Sequence, residues 1–309
     1  MSTEPETLRA DGLPPTERRN PASTRLDELT TTELLELIND QDATVPGAVR
    51  AVLPRLAELV DTALGVLRAG GRVHYYGAGT SGRIALGDAV ELGPTYGVGP
   101  DRVLAHLAGG PGARGRARED AEDHAPDEDA ADTPGTGDLV IGVTASGRTP
   151  YVASALRAAR AVGAHTALLS GDPAAPLAPL ADLHLALDTG PEVVTGSTRM
   201  KAGTAQKLAL NAFSTALMVR SGRTWSNLMI AASANNAKLR ERAVRTLVTA
   251  CQVPEETAAR ALAQCAGEIP TALVCLVAGA SPLAAREALA AHHGHAWAAV
   301  RALREETGR

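Results

Sequence analysis

Aromatic side chains are nearly missing from this chain. They make up 2% of its 309 residues: one Phe, two Trp and four Tyr. Any core must therefore be filled by Ala, Leu and Val, and a 45% share of apolar residues is enough to build one. Cysteine is scarce too, with Cys251, Cys265 and Cys275 all near the C-terminus. An odd number at those spacings fits reduced core thiols, not a disulfide framework or a zinc site. No long Lys/Arg run exists and the net charge is −5, so nothing attracts nucleic acid or an anionic membrane surface. No apolar stretch approaches the roughly 20 residues that span a bilayer. The start, Met1-Ser-Thr-Glu-Pro-Glu-Thr-Leu8, is acidic and polar, unlike a secretory signal, and a cytoplasmic protein is expected. Tracts dominated by Gly, Ser or Gln are absent, which argues against wholesale disorder.

Glycine and hydroxyl residues, by contrast, gather in two places. Gly77-Ala-Gly-Thr-Ser-Gly-Arg83 follows the apolar run Arg72–Tyr76, and Gly142-Val-Thr-Ala-Ser-Gly-Arg-Thr-Pro150 follows Asp138–Val143. Each precedes a helix-like segment. A strand, a Gly/Ser/Thr loop and a helix start together form an anion site: backbone N–H groups converge, hydroxyls add donors, and the helix dipole favours negative charge. The expected ligand groups are Gly79, Thr80, Ser81 and Gly82 in the first loop, and Thr144, Ser146, Gly147 and Thr149 in the second. Two such loops point to one phosphorylated small molecule held between two strand ends.

Neither loop suits a nucleotide. The Gly-x-Gly-x-x-Gly spacing of the first is weak by itself. A dinucleotide site needs an acid about 20 residues further on, at a strand end. Position 97 is Gly, and Glu91–Gly97 reads as a turn. A phosphate-binding loop of the Gly-Lys-Ser/Thr kind needs a Lys that neither loop contains.

Around the loops, strands are expected near 73–76, 102–106, 138–143, 166–170 and 183–187, with helices near 81–91, 113–124, 150–162 and 203–220. Such alternation predicts an α/β fold with a doubly wound, mainly parallel sheet flanked by helices. Residues 1–22 read as a Pro-rich arm. Thr30, three residues before Glu33, caps a short helix, and Asp40–Pro46 reads as a turn. Helical spacing then runs from Pro46 to Ala69, interrupted at Pro54 by a kink or a second helix start. Residues 125–137 form an acidic connector. Beyond about 225 no strand signal remains. Helices near 229–250, 254–266, 269–279, 282–291 and 295–306 form an all-helical C-terminal appendage. The expected divisions are an arm and short helix over 1–45, the α/β domain over 46–225 and the helical region over 226–309. His74 lies inside a strand and reads as structural. His292-His-Gly-His295 lacks an acidic or Cys partner nearby, so no metal site is expected.

Several long runs, in order, resemble the N-acetylmuramic acid 6-phosphate etherases, whose fold is the sugar isomerase (SIS) domain. They include Ile38-Asn-Asp-Gln-Asp-Ala-Thr-Val-Pro46, both glycine loops, and Gly190-Pro-Glu-Val-Val-Thr-Gly-Ser-Thr-Arg-Met-Lys-Ala-Gly-Thr-Ala-Gln-Lys207. The last looks like a signature that these etherases share with glucokinase regulatory proteins. The resemblance runs from about Arg19 to near the C-terminus. It departs at Asp88-Ala-Val-Glu-Leu-Gly-Pro-Thr-Tyr-Gly97, where Gly93 stands in place of a usual Pro, and at Pro111-Gly112, which replaces a polar helix start.

What the resemblance implies is cleavage of a lactyl ether at sugar carbon 3 by elimination and then hydration. Glu91 matches the family's proton donor and Glu122 its second catalytic acid. In the signature, Ser197 at a helix start offers donors to the sugar phosphate, Glu192 either orients the sugar or braces the turn, and Lys201 either attracts the phosphate or pairs with acids of a neighbouring chain. No cofactor is implied, and a homodimer is, because a SIS site is often completed by a neighbouring subunit. Two other readings share the fold: an aldose–ketose sugar-phosphate isomerase, and a non-catalytic sugar-phosphate sensor.

Overall fold

Helix α1 (Thr31–Asp42) starts with a reciprocal cap. The Thr30 hydroxyl accepts the Glu33 N–H, and the Glu33 carboxylate accepts the Thr30 N–H. In the computed structural model, which describes residues 13–116, 118–126, 132–231, 237–306 and 308, α1 runs on through residues expected as a turn. Only Ala43 and Thr44 separate it from α2 (Val45–Ala51). Helix α3 (Leu53–Arg68) begins afresh at Pro54, because proline in the first helical turn needs no hydrogen-bond partner.

Five strands follow: β1 (Val73–Gly77), β2 (Val103–Leu107), β3 (Leu139–Thr144), β4 (His165–Ser170) and β5 (Leu183–Ala186). All pairings are parallel, in the order β2-β1-β3-β4-β5. The three helices of this part are α4 (Gly79–Tyr96), α5 (Pro150–Ala161) and α6 (Lys201–Arg220). One face of the sheet presents Tyr76, Val140 and Leu168 to α5. The other presents Tyr75, whose ring meets Phe213 of α6 edge-on at 6.3 Å. Burial on both faces is why β3 reads as a nearly continuous apolar run, while β1, buried throughout, carries one polar residue, His74. The α/β architecture expected from the sequence, a parallel sheet flanked by helices, is the one observed.

Two expectations here need correction. Among the described residues no α-helix forms over 113–124. Two short 3-10 turns occupy Gly110–Ala113 and Glu119–Asp123, because Gly109 and Gly110 take left-handed conformations (φ 81° and 61°) and Gly112 and Gly115 disfavour helix. Residues 117 and 127–131 lie outside the described residues. The stretch Glu91–Gly97 is no turn either. Helix α4 continues to Tyr96 with Pro94 inside it and stops at Gly97 (φ 63°). Pro94 falls in the last turn, so the bond it cannot donate to the Val90 carbonyl is lost within one turn of the helix end.

The chain divides into two units. One holds the described residues up to Asp88 together with Val103–Phe213, and so contains the sheet; the other holds Ala89–Arg102 and the residues from Ser214 on. In the second unit, β6 (Thr224–Trp225) and β7 (Leu228–Met229) form a minimal antiparallel hairpin, contrary to the expectation of no strand there. Strands of two residues carry no readable period. Helices α7 (Ala237–Cys251), α8 (Glu255–Gln264), α9 (Ile269–Ala278), α10 (Pro282–Ala291) and α11 (Ala296–Glu306) complete the unit; 232–236 lie outside the described residues. Its core gathers Leu247, Leu262, Leu273 and Val300. The three thiols are unbridged, and burial pushes Cys251 up to about 11. His295 is a helix cap, its Nδ1 accepting the Ala298 N–H. Among the described residues no single helix is long and apolar enough to cross a membrane.

Candidate active site

The first glycine loop is almost no loop at all. Strand β1 ends at Gly77 and α4 begins at Gly79, with only Ala78 between. This tight reversal depends on two glycines touching: a Cβ on Gly82 would stand 2.4 Å from the Gly77 carbonyl oxygen. Gly79 supplies the required left-handed turn (φ 52°). The result aims the first N–H groups of α4, at Gly79, Thr80 and Ser81, off the end of the sheet, where they have no intrahelical acceptor. Ser81 is buried and Thr80 half-buried.

The second loop lies beside the first. Gly77 pairs with Val143 across the β1–β3 ladder, so both loops leave adjacent strands at their carboxyl ends. The sheet order reverses at β1, which has β2 on its other side, and ligands of open parallel sheets bind at this kind of switch. The Thr144 and Thr149 hydroxyls share a hydrogen bond of 2.8 Å across the loop, and Ser146 Oγ accepts the Arg148 N–H at 3.2 Å. Gly147 (φ 67°) packs so closely on Ala175 that no side chain fits.

The signature run joins the same region. A Cβ on Gly203, in the first turn of α6, would lie 3.4 Å from the Thr80 methyl and 3.5 Å from Ile84, so α6 starts against the start of α4. Glu192 is fully buried, and its two carboxylate oxygens accept the Lys201 and Ala202 N–H groups at 3.0 and 2.9 Å. Burial raises its pKa against the pull of those N–H groups and of Lys201. Lys201 is buried as well. Its Nζ donates to Gln41 Oε1 at 3.1 Å, and that oxygen also accepts the Asn20 amide at 2.8 Å. Burial lowers the Lys201 pKa while Glu192, Asp42 and Asp188 oppose the shift. Ser23 Oγ donates to the Val193 carbonyl and the Gly196 N–H to Thr16 O. From Thr16 onward, therefore, the arm braces the signature; residues 1–12 lie outside the described residues. Ser197 sits half-buried in the turn leading into α6.

The two candidate acids are both exposed. Glu122 is in the 3-10 turn Glu119–Asp123 of the sheet-bearing unit, and Glu91 is in the part of α4 that belongs to the other unit. One turn before Glu91, Asp88 is buried and accepts the Tyr75 hydroxyl at 3.0 Å.

Sequence reasoning missed a polar string under the β2 edge. Asp138 Oδ2 lies 3.3 Å from His74 Nε2, and His74 Nδ1 lies 3.0 Å from His106 Nε2. Carboxylate oxygen only accepts, so His74 donates to Asp138 through Nε2 and accepts from His106 through Nδ1. Burial holds the Asp138 carboxyl up, but N–H groups of Gly135 and Arg72, the nearby His74 ring and the Arg72 charge outweigh it and lower its pKa. His106 stacks on Tyr76 at 4.2 Å and lines a half-open cavity of about 610 Å³. Strand register alone could have joined these histidines. Gln206 of α6 is buried with neither amide atom hydrogen-bonded among the described residues.

Residues 123–216 match the SIS domain family, and residues 55–160 match the glucokinase regulatory protein N-terminal SIS domain. An N-acetylmuramic acid 6-phosphate etherase of Thermobifida fusca is 55% identical over 279 residues, covering 90% of each chain. The etherase of that name from Rubrobacter xylanophilus is 50% identical, covering 89% of this chain and 93% of its own. That of Photorhabdus laumondii is 46% identical, covering 94% and 97%. Likeness of that extent, on a parallel sheet with two glycine turns at its switch, makes this chain a member of the N-acetylmuramic acid 6-phosphate etherase family.

Proposed function

We propose that the protein cleaves the D-lactyl ether of N-acetylmuramic acid 6-phosphate, giving N-acetylglucosamine 6-phosphate and D-lactate. The observation that carries this reading is the pair of glycine turns seated side by side at the sheet's switch in a chain of the etherase family. The phosphate rests on the N–H groups of Gly79, Thr80 and Ser81 and on the hydroxyls of Thr80, Ser81, Thr144, Ser146 and Thr149. Gly82 and Gly147 give these turns their shape. Ser197 adds a donor from the signature turn, and Glu192 and Lys201 hold the start of α6 in place against Thr80.

An ether is a poor leaving group. Opening the sugar ring exposes an aldehyde that makes the carbon-2 proton acidic. In this reading Glu122 removes that proton, the bond between carbon 3 and the ether oxygen breaks, and Glu91 protonates the departing oxygen. D-lactate leaves behind an unsaturated aldehyde. Glu91 then takes a proton from water, whose oxygen adds to carbon 3, and carbon 2 regains a proton from Glu122. The substrate's own carbonyl activates the elimination, so the chemistry calls on no metal or organic cofactor. The same reading has a homodimer acting in the cytoplasm, where thiols stay reduced, with no nucleic acid or membrane partner.

Turnover in heavy-oxygen water and in deuterium oxide tests the route. The sugar product is expected to gain solvent oxygen at carbon 3 and deuterium at carbon 2. Retention of the original carbon-3 oxygen would contradict it. An isomerase on this fold would exchange the carbon-2 proton without releasing lactate, and a sensor would bind without turnover.

A further inference from the structure

The etherase substrate named for the family carries two anions: the 6-phosphate, and the carboxylate of the lactyl group on carbon 3. The two glycine turns account for the first. The cavity at the end of β2 has the chemistry and the position for the second.

Its volume, about 610 Å³, lies within the roughly 300–1,000 Å³ common to small-molecule sites. Four basic side chains line it, Arg114, Arg118, His106 and His124, against two acids, Asp120 and Asp132. Arg118 is laid across the glycine turn: a Cβ on Gly109 would stand 3.1 Å from its Cδ, and one on Gly112 would stand 3.4 Å from its guanidinium carbon. Glycine at both positions thus leaves room for the guanidinium along the wall. On the floor, His106 is held flat on Tyr76 and tied through His74 to Asp138. The Asp120 carbonyl accepts the His124 Nδ1–H at 2.8 Å and fixes that ring as well.

Position argues the same way. Asp120 and Ala121, which line the cavity, belong to the turn that carries Glu122. Tyr151, also in the wall, follows Thr149 of the second phosphate loop by two residues. A base at Glu122 must reach carbon 2, and the lactyl group is attached to the very next carbon. The departing group therefore lies beside the Glu122 turn.

We propose that this cavity binds the lactyl carboxylate, with Arg114 and Arg118 as its charged donors, and that it sets the preference for a lactyl ether over a plain amino-sugar phosphate. A guanidinium can grip a carboxylate through two parallel N–H bonds, which fits a group that must be held while its ether oxygen is protonated. The identity of the carboxylate rests on the etherase reading.

The test compares two sugars that differ only in the lactyl group. In Arg114→Ala and Arg118→Ala, KM for N-acetylmuramic acid 6-phosphate is expected to rise about tenfold or more, while the inhibition constant of N-acetylglucosamine 6-phosphate moves less than about twofold. Arg118→Lys, which keeps the charge but loses the fork, should fall between. Equal weakening of both sugars, or no change in either, would overturn the inference. Wild-type protein that releases no D-lactate would count against the etherase reading instead. Equilibrium titration with the same two sugars then decides the carboxylate site by the same comparison.

Discussion

Glu192 accepts the Ala202 N–H at 2.9 Å while sharing its other oxygen with the Lys201 N–H, and it has no exposed surface. A carboxylate so placed satisfies two donors that the start of α6 would otherwise leave bare, at the positive end of the helix dipole. Glu192→Gln turns one acceptor into a donor facing an N–H. Unfolding in urea should show a loss of about 1–3 kcal/mol. Unchanged stability with a raised KM would instead make Glu192 a ligand of the sugar.

Burial drives His74 down to about 4 from its ordinary 6.5, helped by the His106 ring and the Arg72 charge and opposed by Asp138. The unfolded chain takes up this proton as pH falls through 6.5, and the folded chain only near 4. The stability that a neutral His74 confers is thus complete above pH 6.5 and drains away below it. Between pH 7 and 5 the wild type should lose about 2 kcal/mol more than His74→Gln. Parallel pH profiles for the two proteins would contradict this.

Two alanine substitutions in the same helix should act in opposite directions. At Gly82 a Cβ meets the Gly77 oxygen at 2.4 Å and the Leu107 side chain at 2.5 Å, whereas at Gly87 nothing lies within 4 Å. Gly82→Ala should cost about 1–3 kcal/mol and raise KM, because it pushes the start of α4 off the strand end. Gly87→Ala should stabilise by about 0.5–1 kcal/mol, since alanine is the better helix former. Calorimetric melting of both variants checks the pair, and equal shifts would count against the packing described for the first loop.

The central strands were legible because they are buried on two faces, so that Leu139–Thr144 and Thr166–Leu169 stand out as short, largely apolar runs. The glycine turns after β1 and β3 were legible for a related reason: Gly79 and Gly147 serve a backbone need that the sequence spells out locally. Other features depend on partners far along the chain. Lys201 meets Gln41 across 160 residues, and no local pattern announces that bond. His74 reads as one more strand residue until the β1–β2 and β1–β3 pairings bring up His106 and Asp138. The stretch Glu91–Gly97 read as a turn because the end of α4 at Tyr96 shows only in the folded chain. The helix expected over 113–124 failed for the opposite reason, since the glycines before it govern the backbone more strongly than the alanines and charges within it.

Elimination of lactate in the proposed reaction depends on Glu91 as the proton donor. Its most direct test is D-lactate release from N-acetylmuramic acid 6-phosphate by purified wild type and by Glu91→Gln. Release by the wild type, a fall of roughly 100- to 10,000-fold in the variant, and undiminished binding of N-acetylglucosamine 6-phosphate are expected. No lactate from the wild type, or a variant as active as the wild type, would contradict it.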